Sequence, residues 1–321
     1  MVDVSIVIVC MNKPKNLYPC LNSIKQYTNI VSYETFVVAY LFSEENLKKV
    51  KEDFPWVKFI ESKEIRGFSE NNNLALRQAK SKYCFVVNDD TEMKMPVIDG
   101  LVETMENLPE NVAIVSPNIL KADGSVQYCG RPRQTWKTVI SNDLFRYNMN
   151  RNSPYINKTG TFKSYNILGA AFLIKTEIFS KFGWFDETYF FCPEDVALST
   201  QLNEAGYECW VNADISIIHY EGDSGKSSSM IRTATKPAHR RGSLIFYPRG
   251  NRYIWLLMSV AYLVYDIILY MVYWYKVNVS KEKGVSLVSY KSLQNLLGVT
   301  FSKASPKEIF IKYYTQMQEK K

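Results

Sequence analysis

The chain has 321 residues, 46% of them hydrophobic and 22% charged, enough to bury the core of one large α/β domain or of a domain with an appendage. Its six cysteines, at 10, 20, 84, 129, 192 and 209, form no C-x-x-C pair, and several sit in apolar runs. That argues against a disulfide framework or a zinc site and for reduced thiols in the cytosol. The net charge of +7 is one-sided: residues 246–321 hold 11 of the 39 basic residues and 4 of the 32 acidic ones, so the excess lies there and residues 1–245 are formally neutral.

The first apolar run, VSIVIVC (4–10), is too short for a secretory leader, lacks its basic flank and reads as a buried strand. Pro14 suits the first turn of a helix running to about Tyr27. Strands follow at 35–42, 57–62 and 83–88, separated by helices at 43–54 and 69–80; a helix at 96–107 and a strand at 112–116 continue the rhythm. Such alternation predicts a doubly wound, mostly parallel, Rossmann-like sheet, which binds ligands beyond the carboxyl ends of its strands. Residues 123–163 read as a loop-rich excursion. The pattern resumes with a strand at 165–175, a helix at 176–182, the turn GWFDE, a helix at 194–205 and strands near 208–212 and 215–219. Residues 222–243, rich in Ser, Gly, Arg and Lys, read as a mobile loop, and the boundary between a catalytic domain (1–245) and a basic, aromatic-rich helical region (246–321) falls just beyond it.

Residues 253–275 are nearly all apolar and could span a bilayer by length. Several are Tyr or Trp, which prefer the interface, and Asp266 is costly in a lone span. An interfacial helix, a helix docked on protein and a true span all remain open. The basic flanks favour an anionic membrane surface, reached through 246–283, over nucleic acid.

Three clusters carry chemistry. YCFVVNDDTEM (83–93) delivers Asn88, Asp89 and Asp90 to a strand end, with Asn88 and Asp90 on one side and Asp89 on the other. Carboxylates there can hold Mg²⁺ or Mn²⁺ together with substrate phosphates; Asn-Asp-Asp-Thr is also good turn chemistry. FFCPEDVALSTQL (190–202) opens a helix with Glu194 and Asp195, which are either ordinary first-turn acids or a general base. The GWFDE aromatics upstream suggest a sugar-stacking face. ISIIHYEGDS (215–224) ends a strand in His219, a metal ligand or a structural histidine.

Taken in this order, the clusters resemble family 2 glycosyltransferases of the GT-A fold, especially the bacterial rhamnosyltransferase-like branch, over about residues 3–225. The segments carrying the resemblance are VSIVIVCMNKPKNLYPCLNSI, RGFSENNNLALRQAKSKYCFVVNDDTE and LGAAFLIKTEIFSKFGWFDETYFFCPEDVAL. The resemblance implies metal ligation by Asp90 and His219, with Asn88 and Asp89 beside the donor. It implies general-base catalysis by Asp195 next to Glu194, and base contact by Cys10, Met11 and Asn12. Asn72 and Asn73 would lie near ribose and diphosphate, Gly67 in a tight turn, and Gly169 and Ala170 where small residues let a sugar approach. The implied function is inverting, metal-dependent transfer (Mn²⁺ or Mg²⁺) from a nucleotide-sugar donor to a glycan or lipid-linked glycan acceptor in surface polysaccharide synthesis. The implied location is cytoplasmic, on the inner face of the cell membrane, and a homodimer is compatible.

Two segments depart from the family pattern. Ala39 and Tyr40 stand where an Asp usually meets the base, and Ala197 and Gln201 replace the second Asp and the Arg of E-D-x-D-L-x-x-R. Basic residues of the 225–243 loop (Lys226, Arg232, Lys236, Arg240, Arg241) are candidates to compensate. Two rival readings are a non-catalytic glycan- or nucleotide-binding module on a degenerate transferase fold, and a nucleotidyltransferase. The latter is disfavoured because CMNKPKN lacks the glycine-rich loop such enzymes carry after the first strand.

Overall fold

The computed structural model describes residues 2–128, 130–145, 154, 155, 157–220 and 229–319. The elements in chain order are β1 (Val4–Met11), α1 (Pro14–Tyr27), β2 (Tyr33–Tyr40), α2 (Glu44–Asp53), β3 (Lys58–Ser62), α3 (Phe68–Leu76), β4 (Tyr83–Asn88), β5 (Thr91–Met93), α4 (Val97–Glu106), β6 (Val112–Leu120) and β7 (Val126–Tyr128). Then come α5 (Trp136–Phe145), β8 (Thr161–Ser164), β9 (Ala171–Lys175), α6 (Thr176–Lys181), α7 (Glu194–Glu204), β10 (Glu208–His219), α8 (Arg232–Phe246), α9 (Arg252–Asn278), α10 (Val285–Leu297) and α11 (Pro306–Gln318).

Two compact units emerge. The first comprises Met1–Arg133, Met149–Asp186 and Glu194–Tyr220; the second comprises Gln134–Asn148, Glu187–Pro193 and Glu221–Lys321.

In the first unit the strands form one sheet in the order β3-β2-β1-β4-β9-β6-β10-β5, with β7 on β6 and β8 on β10. The two faces of β1 explain its unbroken apolar run. Val4, Ile6, Ile8 and Cys10 pack with Leu17, Leu21 and Ile24 of α1, whereas Val7 packs on the opposite side with Val38, Val86 and Phe172. A strand covered on both faces has no polar side to show. The expected α/β architecture with a C-terminal helical region is present, but the sheet is mixed rather than mostly parallel. β1, β2, β3 and β4 run parallel, while β9 pairs antiparallel with both β4 and β6. The physical reason is connectivity: β9 enters after the long excursion that follows β6, not after a single crossover helix. That excursion contains β7, α5 and β8. The expected strand at 165–175 shrinks to β9, and the two strands expected near 208–219 are one, with a register break between Asn212 and Ser216. The described cysteines are all free thiols, four of them buried.

The second unit is helical. α8 lies on residues expected as a mobile loop; the 222–228 part of that expectation falls outside the described residues. The helix forms because Ala234, Ala238 and Gly242, spaced by four, are buried along one face. Gly242 sits so close to the backbone of Cys192 that a Cβ there would lie 2.6 Å from its carbonyl oxygen. α9 is capped by Asn251, whose Oδ1 accepts from Tyr253 N and Ile254 N at 2.9 and 3.2 Å. Asp266 of α9 is buried and paired with Arg240 of α8 (2.9 Å), whose guanidinium stacks 3.6 Å from the centre of the Tyr262 ring. The Tyr262 hydroxyl donates to Asp143 of α5 at 2.8 Å. Burial pushes the Asp266 carboxyl above its ordinary range, against the pull of Arg240.

Gly242→Ala should therefore destabilise the protein by about 1–3 kcal/mol, because the clash with a backbone atom outweighs the ~1 kcal/mol that alanine returns in helix propensity. Urea denaturation followed by circular dichroism checks this; an unchanged midpoint would contradict the close approach.

Candidate active site

The Asn88–Thr91 segment turns sharply at the end of β4. The Thr91 hydroxyl donates to Asn88 O at 2.9 Å, and Asp90 O accepts from Tyr220 N at 2.9 Å, which ties the turn to the end of β10. The turn and the acidic site are thus one object rather than alternatives. As strand parity predicts, Asn88 and Asp90 face one way. Asp90 Oδ1 lies 3.2 Å from His219 Nε2, and Asn88 Nδ2 lies 3.4 Å from the same nitrogen. Asp89 faces the other way, toward the buried Cys10 thiol. Burial pushes Asp89 up to about 6, with the Cys10 hydrogen bond opposing the shift and the Asp90 charge adding to it. Burial also pushes the Cys10 thiol up, with the nearby Asp89 charge adding.

The other imidazole nitrogen, His219 Nδ1, is 2.9 Å from Gln127 Oε1 on β7. An amide oxygen can only accept, so this contact assigns a proton to Nδ1; in the neutral tautomer Nε2 then faces Asp90 with its lone pair, and in the imidazolium it faces Asp90 with a second N–H. A lone pair opposite a carboxylate oxygen calls for a cation between them, a proton or a metal. Two ligands cis on an octahedral ion at about 2.1 Å each stand about 3 Å apart, which matches the Asp90–His219 separation. Among the described residues no group of three or more His, Cys, Asp and Glu forms a complete cage. A two-donor site fits Mg²⁺ or Mn²⁺ that completes its shell with water and phosphate oxygens.

Asp195 lies in the first turn of α7 and is buried. Its Oδ2 accepts from Gly169 N (3.1 Å) and its Oδ1 from Val196 N (2.7 Å). Ala170, next to Gly169, accepts from Asn88 N at 2.9 Å. The Gly169–Ala170 peptide therefore connects the carboxylate of α7 to the β4 turn through backbone bonds. The nearest atoms to a Cβ on Gly169 would be those of Asp195, at 3.4 Å for its Cβ and 3.8 Å for Oδ2. Glu194 is buried beside it.

Other expected contacts lie elsewhere. Asn73 is fully buried and clamps the Phe185 backbone: Nδ2 donates to Phe185 O at 2.9 Å and Oδ1 accepts from Phe185 N at 3.1 Å. Asn72 is buried, with Nδ2 donating to Phe68 O at 2.9 Å. Gly67 precedes α3 in extended backbone, and its N–H donates to Glu70 at 2.9 Å, so it caps the helix rather than making a tight turn. Asn12, at φ 47°, uses Oδ1 to accept from Ser43 N and Asn46 Nδ2 and so anchors the start of α2. Met11 ends β1 opposite Tyr40. Of the GWFDE aromatics, Phe185 is buried against Phe68, Phe172 and Phe179 and so is not open to a sugar, while Trp184 is half-buried and meets Phe179 edge-on. The basic residues expected to compensate on a loop are on α8 instead: Arg240 pairs with Asp266 and Arg241 donates to Ala304 O at 3.0 Å, while Lys226 lies outside the described residues. At the departures, Tyr40 is buried with its hydroxyl accepting from Arg66 N at 3.3 Å, and Gln201 is exposed.

Residues 5–183, more than half of the chain, match the family model described as Glycosyl transferase family 2. The chain belongs to this family. Among curated relatives it is 25% identical over 215 residues to the O-antigen biosynthesis protein RfbC of Myxococcus xanthus, covering 66% of this chain and 16% of that one. It is also 25% identical over 182 residues to an N-acetylglucosaminyl-diphospho-decaprenol L-rhamnosyltransferase of Mycobacterium tuberculosis, covering 51% of this chain and 54% of that one. The chain thus spans a small part of the first relative and about half of the second. In fold it is similar to GalNAc-T7 with UDP, GalNAc and Mn²⁺ (TM-score 0.54, 16% identity, 74% of this chain and 51% of that one). It is likewise similar to the mannosyltransferase PcManGT of Pyrobaculum calidifontis with GDP-Man and Mn²⁺ (TM-score 0.52, 14% identity, 100% of this chain and 90% of that one).

The Asn73 clamp gives a direct test of a structural role. Asn73→Ala should lower stability by about 2 kcal/mol or more by leaving two buried backbone groups unpaired. A variant with parental stability and only weakened nucleotide binding would contradict it.

Proposed function

We propose that this family 2 member transfers a sugar from a nucleotide-diphosphate donor to a hydroxyl of a glycan or lipid-linked glycan acceptor, with inversion and with the help of a divalent cation, in bacterial surface polysaccharide synthesis. The observation that carries the reading is the backbone connection of the Asp90–His219 pair to Asp195 through Gly169 and Ala170.

In this reading Asp90 and His219 hold a Mg²⁺ or Mn²⁺ ion, which when bound neutralises charge on the departing diphosphate. Gln127 keeps the proton on Nδ1 of His219 and so presents Nε2. The Gly169 and Val196 N–H groups fix the direction of the Asp195 carboxylate. Asp195 accepts the proton of the acceptor hydroxyl as its oxygen attacks the anomeric carbon from the face opposite the nucleotide. The names of the two curated relatives, one for O-antigen biosynthesis and one for a rhamnosyltransferase acting on a diphospho-decaprenol, support a lipid-linked acceptor class. The working location in this reading is the inner face of the cell membrane.

Asp195→Asn should lower turnover by about 10²–10⁴-fold, the usual contribution of a general base, while nucleotide binding by calorimetry stays near parental. Near-normal turnover in that variant would refute the assignment. A donor panel of UDP-, GDP- and dTDP-sugars with Mn²⁺ should show nucleotide release that EDTA abolishes. Release unaffected by EDTA would contradict the role of the cation, and no release from any donor would favour a binding module.

A further inference from the structure

α9 has two unlike faces. Met258, Ser259, Tyr262 and Asp266 are buried within the second unit. Leu257, Val260, Val264, Ile267, Ile268 and Met271 are exposed. At 100° per residue these six fall within an arc of about 100°, opposite the buried four. Tyr253 and Tyr275 extend the same stripe, which is about 33 Å long at 1.5 Å per residue. A water-facing helix does not carry an apolar stripe of that length without an occupant.

The buried face decides the orientation. Asp266 is 1% exposed and held by Arg240 of α8, while Tyr262 is bonded to Asp143 of α5. Moving α9 across a bilayer would either break these bonds and leave a carboxylate in hydrocarbon or draw Arg240 in with it. α9 therefore remains a wall of the helical unit and meets lipid from one side only.

The charge decides the occupant. Arg249 and Arg252 stand at one end of the stripe, and Lys276, Lys281 and Lys283 at the other, with Glu282 the acid among them. A second copy would set these cationic ends against their equivalents. Anionic phospholipid complements them.

We propose that α9 docks the protein in the plane of an anionic phospholipid leaflet, with its exposed stripe inserted at the boundary between headgroups and acyl chains. The docking follows from α9 alone and needs neither donor nor acceptor, so its failure would remove the membrane location from the proposed function and leave the transfer chemistry intact.

Flotation of the full chain with vesicles tests it. The protein should float with phosphatidylglycerol–phosphatidylethanolamine vesicles, and phosphatidylcholine vesicles or high salt should reduce this. The double variant Val264→Glu/Ile268→Glu should lose binding by about 100-fold or more, since each apolar side chain removed from the interface is worth more than a factor of ten. Its thermal midpoint should match the parent, because both positions are exposed. Spin labels on Leu257→Cys, Val264→Cys and Met271→Cys should report one shared shallow depth. A parent chain that stays in solution with anionic vesicles would overturn the proposal, as would a double variant that floats as well as the parent. A depth maximum at 264 would show a span, and a dimer in light scattering that the double variant dissociates, without flotation, would show a second copy; either result also overturns it.

Discussion

Asp90 Oδ1 stands 3.2 Å from His219 Nε2, a separation that needs a proton or a metal cation between the two atoms, and this is the constraint on which the Asp90–His219 site depends. Gln127 sharpens it by holding the proton on the far nitrogen. Asn88 eases it by offering an amide N–H to the same Nε2. The contact joins two strand ends that are far apart in sequence, and the bond from Tyr220 N to Asp90 O repeats the connection in the backbone. The site is a seam in the sheet, held from both sides.

The antiparallel β9 explains how a distant helix connects to the β4 turn. β9 lies directly against β4, so the residues just before it, Gly169 and Ala170, meet the β4 turn. Asp195 then needs only the Gly169 N–H to be placed relative to that turn. Glycine there has no conformational role, since its φ is not positive; a Cβ at this position would rest in van der Waals contact with the buried Asp195 side chain.

What was legible in the sequence follows from local physics. β1 and β4 stood out because burial on both faces makes their runs wholly apolar. Strand parity gave Asn88 and Asp90 a shared direction, which the structure has, although β4 ends at Asn88 and the turn sets the direction of Asp90. Gln127 was invisible, because it lies in a segment with no periodic pattern and gains its role only from strand pairing. The Asn73 clamp was equally hidden: its partner is 112 positions away, and a polar residue that serves backbone looks the same in sequence as one that serves ligand. α8 misled for a different reason. Its small residues have the composition of a loop, yet at four-residue spacing they make a packing face. Asp266 reads from sequence as costly in a lone span, and only the fold reveals Arg240 as its partner.

The central claim is that His219 Nε2 and Asp90 together bind a divalent cation beside the nucleotide diphosphate. Pulsed EPR of Mn²⁺ bound to the full chain with UDP or GDP reads this most directly. The account predicts a single histidine-nitrogen coupling that changes on ¹⁵N-histidine labelling, vanishes in His219→Ala and persists in His239→Ala. A Mn²⁺–nucleotide complex without nitrogen coupling, or with coupling unchanged in His219→Ala, would contradict it.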